Sequence, residues 1–299
     1  MKLLANPVLT RELRARIRAK RALSTLVGYL STIAVVTLLM YMASSANTAS
    51  ISNPEAGRDV GKAIFFTVMI MSLIQVCLLT PSLTAGSISG EHERQTYDLL
   101  MTSLLSPLQI AIGKLTSALA FAMLLIFAAL PMAGLAFLFG GVSGMELLIG
   151  IAGLVATAIT YATIGLFCSS VMRTTLSATI MAQSSVVLIL LGIPFIFFIL
   201  LVFERQFDAN SPLFIYAIGL LLSMHPFIAL GMTAAFLGEG EGPWLLTIPS
   251  SQGDLLAPAP WLVYLGVSFV TTLIFLALAV RYLQPGRRER TKQAKGGEG

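Results

Sequence analysis

Hydrophobic positions along this chain fall into continuous blocks rather than alternating ones. Runs dominated by Leu, Ile, Ala, Phe and Val cover residues 24–44, 63–86, 115–140, 146–171, 176–203 and 261–283. A hydrocarbon core of roughly 30 Å takes about 20 apolar residues of helix, so each run is long enough to cross a bilayer. Transmembrane β-strands would read as alternating segments of about ten residues. A helix, by contrast, satisfies its own backbone in lipid. The pattern predicts an all-α integral membrane protein with six transmembrane helices.

A seventh apolar run, 213–237, is interrupted in its middle by Ser223, His225 and Pro226. Arms of about 11 to 13 residues reach only about 16 to 20 Å each. A re-entrant or interfacial helical hairpin before the last span fits that length, and so does a kinked span. His225, beside a proline, reads as a local hydrogen-bonding residue rather than a ligand.

Charge bears on that choice. Residues 1–23 hold seven Lys and Arg against one acid, and the other end carries Arg281, Arg287, Arg288, Arg290, Lys292 and Lys295. Cytoplasmic segments carry the excess of Lys and Arg, so both ends read as cytoplasmic. An even number of spans is then required, which favours six spans and an outward hairpin. On this topology residues 45–62, 141–145 and 204–260 face outward, and residues 87–114 and 172–175 face the cytoplasm. The expected organisation is a cytoplasmic amphipathic interfacial helix over 1–23, one six-span domain over 24–283 and a basic cytoplasmic tail over 284–299. Gly238–Pro260, rich in Gly and Pro, is expected to be irregular.

The composition agrees, with 56% hydrophobic and 11% charged residues where soluble domains carry about 25% charge. No soluble domain is expected. The basic start is too long for the n-region of a cleaved leader. On a helical wheel Leu9, Leu13 and Ile17 fall within an arc of about 80°, while Arg11, Arg14, Arg18 and Arg21 gather on another side. That predicts an interfacial helix over 8–22 whose arginines anchor it to lipid headgroups, with Arg16 and Lys20 snorkelling. Membrane lipids are thus expected partners, and nucleic acid is not.

Candidate chemistry is sparse. No ionisable residue lies deep in the six runs, where the strongest polar groups are Gln75 and Gln183. Proton-driven carriers use intramembrane ionisable groups, so that class is disfavoured, whereas sodium held by backbone carbonyls stays open. A phosphate-binding P-loop needs Gly-Lys followed by Ser or Thr. Gly61-Lys62 is followed by Ala63, and Gly113-Lys114 by Leu115. Cys77 and Cys168 lie inside predicted spans and offer no metal spacing. The chain is therefore expected to have no catalytic residues and no cofactor or metal of its own. Ala152, Ala156 and Thr160, four residues apart, permit close helix packing within the chain or across a dimer.

The cytoplasmic segment 87–114 is far longer than the about 2 to 8 residues that join helices in bundles. Ser87, Ser89 and Gly90 lead into an acidic turn, Glu91 and Glu93, which suits a positive helix N-terminus. Tyr97, Leu100 and Leu104 recur at three and four residues, giving a short apolar face. Ser106-Pro107 then supplies an N-cap and an N1 proline for a helix that enters the membrane through Gly113 and Lys114. The expected unit is a helix, a break and a helix, either gripped by a partner or packed on its own bundle.

The run Gly90-Glu91-His92-Glu93-Arg94-Gln95-Thr96-Tyr97-Asp98-Leu99-Leu100, followed by Ser106, Ile110 and Gly113-Lys114, resembles the cytoplasmic loop of ABC-2 type permeases. That loop commonly reads GE-x-E-x-G-T-x-E-L-L, then Pro-Leu-Ser and a closing Gly-Lys. The basic interfacial helix, six spans and an outer helical segment between the fifth and sixth are similar to the family as well. This sequence departs from the pattern at Gln95 for glycine, Asp98 for glutamate, Leu104 for proline and Gln109 for glutamate. The resemblance implies the membrane subunit of an ABC transporter in a bacterial cytoplasmic membrane. Its partners would be a second membrane subunit, identical or not, and separate ABC ATPase subunits that bind ATP and Mg. It implies that residues 90–105 form a coupling helix, with Glu91, Glu93, Arg94, Thr96 and Asp98 orienting it on the ATPase. Leu99, Leu100 and Leu104 would then be its apolar grip and Lys114 an interfacial anchor. Export by alternating access is implied too, with import left open, while the short outward segments and apolar lumen favour a lipid-like or amphipathic cargo over a large glycan. An ion-coupled or facilitative carrier and a non-transporting scaffold or sensor subunit are the alternative readings.

Overall fold

The computed structural model describes residues 20–47, 54–102, 105–203, 211–251 and 253–283. The helices are α1 (Lys20–Asn47), α2 (Pro54–Glu93), α3 (Tyr97–Met101), α4 (Pro107–Leu138), α5 (Gly144–Val171), α6 (Thr175–Val202), α7 (Pro212–Ser223), α8 (Pro226–Gly238) and α9 (Pro260–Leu283). Six of them, α1, α2, α4, α5, α6 and α9, are long and apolar enough to cross a membrane. The chain is thus a multi-span helical membrane protein. The expected interfacial helix, with Arg11, Arg14 and Arg18, lies outside the described residues, as does the tail 284–299. Arg21 falls in the first turn of α1.

The spans alternate in direction. Ile88 near the end of α2, Ala111 and Leu115 at the start of α4, Leu166 late in α5 and Leu283 at the end of α9 pack into one cluster. At the opposite end the backbone of Gly61, early in α2, lies against Ala136 and Phe139 at the end of α4. Tyr41, late in α1, meets Phe139 there, with ring centroids 6.3 Å apart. The start of α1 and the end of α9 therefore share the end of the bundle that holds Ile88.

α5 is the central helix, packed on α2, α6 and α9. A Cβ at Gly165 would stand 2.2 Å from the Thr84 hydroxyl and 2.5 Å from the Pro81 carbonyl, so only glycine permits this approach of α5 to α2. Thr157 meets the Tyr264 hydroxyl at 2.7 Å, and Thr160 meets Thr272 at 3.2 Å, tying α5 to α9. Thr160, in the small-residue stripe, thus faces a helix of its own chain. By contrast α6 buries only Ala178, Ala182 and Val186, leaving Leu188, Leu191, Phe195 and Phe198 exposed.

α7 and α8 meet at a bend of 117°. With arms of about 18 and 20 Å, the pair reaches about 20 Å end to end, short of the roughly 30 Å hydrocarbon core. His225 makes the corner: its Nδ1 accepts the Ile228 N–H at 3.2 Å, capping α8, while Nε2 donates to the Leu190 carbonyl of α6 at 3.1 Å.

The segment expected to be irregular holds a hairpin, β1 (Leu245–Ser250) and β2 (Gly253–Pro258), antiparallel with Leu246 opposite Ala257. Alternation buries Leu246 and Ala257 while their neighbours stay exposed. Gly253, at φ 111°, takes a left-handed backbone at the turn. Counting turn formers hid these strands, because a two-stranded ribbon is all edge and tolerates Pro249 and Pro258.

Candidate functional site

α2 runs 40 residues, about 60 Å, so its last turns project beyond any hydrocarbon core. It ends through backbone geometry. The Thr96 N–H reaches the Glu91 carbonyl at 2.9 Å and the Gln95 N–H reaches the His92 carbonyl at 3.1 Å. This crossed pair is the Schellman arrangement, which needs a left-handed residue at its corner. Gln95 occupies that corner at φ 59°. A side chain there costs about 1 kcal/mol or more, which is why glycine is the usual choice.

The same turn is closed by side chains. Thr96 donates its hydroxyl to the Glu91 carboxylate, which is why Thr96 gives no side-chain cap to α3. The other carboxylate oxygen accepts from Lys114 Nζ at 3.1 Å, with Lys114 only 3% exposed and Glu91 28%. Burial pushes the Glu91 carboxyl up, but the Thr96 hydroxyl and the Lys114 ammonium outweigh it and hold it below its ordinary range. The structure therefore places Lys114 differently from an interfacial anchor: it is sealed under the turn, joining α4 to α2. The acidic turn also differs from expectation, because Glu91 and Glu93 lie in the last turn of a helix. Their charges are balanced from outside that helix, Glu91 by Lys114 and Glu93 by α6. Glu93 Oε1 accepts the Thr175 N–H at 2.7 Å, so this carboxylate does sit at a positive helix N-terminus, that of α6.

α3 follows at once. Its Tyr97 packs against the cluster of Ile88, Leu115 and Leu283, and the His92 ring stacks on it with centroids 3.8 Å apart. Leu100 is half-buried on the same side, whereas Arg94, Asp98 and Leu99 are exposed, Leu99 by 76%. Leu104 lies outside the described residues. Ser106 then opens α4 with a capping box: its hydroxyl accepts the Gln109 N–H at 3.3 Å and Gln109 Oε1 accepts the Ser106 N–H at 2.9 Å. Glutamine serves this N3 role as well as glutamate does.

The expected residues thus separate into two sets. Glu91, Glu93, Thr96 and Lys114 lock the unit to three helices of the bundle, while Arg94, Asp98 and Leu99 face outward. Sequence reasoning missed Thr175 and also Ser169, whose Oγ accepts the Ile88 and Ser89 N–H groups at 2.8 and 3.0 Å. No local pattern could reveal them, since these partners lie about 80 residues apart. Among the described residues no group of three or more His, Cys, Asp or Glu is placed to hold a metal. The hydrogen bonds and ion pair of the unit tie the turn before α3 to α2, α4 and α6. No family model matches this sequence, and no curated protein matches it.

Proposed function

We propose that this chain is the membrane subunit of an ABC-2 type transporter and that residues 90–105 are its coupling helix. The observation that carries the reading is the projection itself. Gln95 adopts a left-handed backbone at the position where the family has glycine, and the next turn exposes Leu99 with Arg94 and Asp98 beside it. Leu99, 76% exposed at the tip of this turn, is free to be buried in a cleft on an ATPase.

Both ends of the chain are cytoplasmic on this reading, and the α7–α8 hairpin faces outward. Two such subunits, identical or not, pair with two ABC ATPase subunits that bind ATP and Mg. Closure of the ATPase pair favours one arrangement of the bundle through its differential contacts with residues 90–105. The force reaches α2 and α4 through Glu91 and Lys114, and α6 through Glu93. Cargo moves outward by alternating access.

The test is co-expression of the chain with an ABC ATPase encoded beside it, purification of the complex and reconstitution into vesicles. Co-purification and ATP-dependent movement of an amphipathic cargo support the reading. Movement of the cargo by the chain alone, with no ATPase present, overturns it.

A further inference from the structure

At the end of the bundle opposite the Glu91–Lys114 pair, two cavities adjoin. A polar cleft of about 580 Å³ is lined by Arg58, Asp59 and Lys62 of α2 and by Glu146 of α5. Next to it, and sharing Glu146 and Leu237, an apolar cavity of about 130 Å³ lies between α2, α5 and α8. Its wall includes Phe65, Met69 and Leu73, with Ile149 and Leu230 from the other two helices.

α2 presents both surfaces on one face. Arg58, Lys62, Phe65, Met69 and Leu73 recur at three- and four-residue steps, which stack on one side of a helix. The first two are cationic and the rest apolar. Such a face matches a molecule that is polar at one end and greasy at the other.

The sign of the charges narrows the polar end. Arg58 and Lys62 supply two cations, Asp59 and Glu146 two carboxylates, and no ion pair joins these four residues. Glu146 commits Oε2 to the Ser143 N–H at 2.6 Å, and its Oε1 remains an acceptor. A purely anionic headgroup would meet two carboxylates, and a purely cationic one would meet Arg58 and Lys62. A zwitterion satisfies both sets, its phosphate on the guanidinium and ammonium donors and its own ammonium on the carboxylates. The apolar cavity sets the other end. An apolar void of about 150 Å³ accepts a guest the size of benzene, so this one takes a stretch of one acyl chain and no more.

We infer that the cleft and cavity together hold one zwitterionic membrane phospholipid, its headgroup among Arg58, Asp59, Lys62 and Glu146 and part of one acyl chain between α2, α5 and α8. Nothing in this assignment depends on ATP-driven transport, and it is tested without an ATPase.

The test uses the full chain in nanodiscs carrying a trace of phosphatidylethanolamine with a photoactivatable diazirine in one acyl chain. Crosslinked peptides are mapped by mass spectrometry. Labelling of 65–73 and 227–237 is expected to exceed that of the exposed α6 face at Leu188 and Leu191 by roughly tenfold. Gly231→Leu places a side chain where the glycine has open space in the cavity wall and is expected to abolish the excess. Glu146→Gln, which keeps the capping box, and the pair Arg58→Gln with Lys62→Gln are expected to reduce it. Labelling of α6 equal to that of the cavity would mean bulk lipid only and overturn the inference. Equal labelling by a phosphatidylglycerol probe would overturn the zwitterionic assignment, and so would excess labelling that survives Gly231→Leu and Glu146→Gln in well-folded protein.

Discussion

The Glu93 carboxylate, in the last turn of α2, closes the first turn of α6 by accepting the Thr175 N–H at 2.7 Å and the Thr175 hydroxyl at 3.0 Å. The two residues are 82 positions apart in the chain, and their contact ties the end of α2 to the start of α6, alongside the Gln183 amide of α6, which donates to the Leu78 carbonyl and the Ser82 hydroxyl of α2 at 2.6 and 2.7 Å. Glu93→Ala is expected to cost about 1 kcal/mol, the usual worth of an exposed carboxylate at a helix N-terminus. Thr175→Val is expected to cost less, because it keeps the N–H. A double-mutant cycle on thermal unfolding in detergent should show coupling of about 0.5 kcal/mol or more. Strict additivity would mean that the contact does not persist in solution.

Glu91 and Lys114 have higher stakes because Lys114 is buried. Glu91→Gln leaves an ammonium sealed under the turn and is expected to destabilise by about 3 kcal/mol. Adding Lys114→Met should restore part of that loss, since the orphaned charge is then gone. The pH dependence has a definite sign. The folded carboxyl sits below its ordinary value, so its contribution is complete above the unfolded value, about 4.3, and disappears as pH falls through the folded one. Unfolding of the wild type and of Glu91→Gln should therefore differ by a constant amount from pH 7 to about 5 and converge in stronger acid.

Gln95 isolates the backbone contribution. Gln95→Gly relieves the left-handed strain and is expected to leave stability unchanged or raise it by up to about 1 kcal/mol, the two glycine effects opposing each other. Gln95→Val, branched at Cβ, is expected to lower it by about 1 to 2 kcal/mol. Equal thermal midpoints for the three proteins would show that residue 95 does not hold φ 59°.

The six helices long and apolar enough to cross a membrane were legible because length and continuous apolarity are one-dimensional properties, and the Ser106-Pro107 start of α4 because a cap is written within four residues. The end of α2 was not. Ser87, Ser89, Glu91 and Glu93 read locally as the start of a helix, but Ser169, Lys114 and Thr175 arrive from other helices and let α2 continue to Glu93. The polar cleft was hidden for the same reason: Arg58, Asp59 and Lys62 look like loop charges until α5 brings Glu146 beside them.

Single cysteines report the orientation of the bundle. In a background lacking Cys77 and Cys168, cysteine at Ser250, in the hairpin, is expected to react with an impermeant thiol reagent from outside intact cells. Cysteine at Thr102, just after α3, should react only after permeabilisation. Labelling of position 102 in intact cells would invert the proposed topology and place residues 90–105 out of reach of any ATPase.

The two sets of residues in the 90–105 unit make the coupling reading separable from its stability. Leu99 and Asp98 are exposed and hold nothing in the bundle, and exposed Arg94 reaches it only through its charge on Glu91, so Leu99→Asp is expected to stay within about 0.5 kcal/mol of wild type and Arg94→Glu to cost somewhat more. A leucine that inserts into an apolar pocket of the ATPase would there be replaced by a carboxylate with no partner, a penalty larger than the about 1.4 kcal/mol that corresponds to a tenfold change in affinity. Leu99→Asp should thus fold and insert normally while losing at least about tenfold in ATPase binding. Arg94→Glu should weaken binding in a salt-dependent way. Glu93→Ala should do the reverse, keeping the ATPase bound but weakening the coupling of hydrolysis to transport, because the contact of the unit with the first turn of α6 is lost while the exposed face is intact. Retention of wild-type binding and coupling by both Leu99→Asp and Arg94→Glu would make residues 90–105 an ordinary connector.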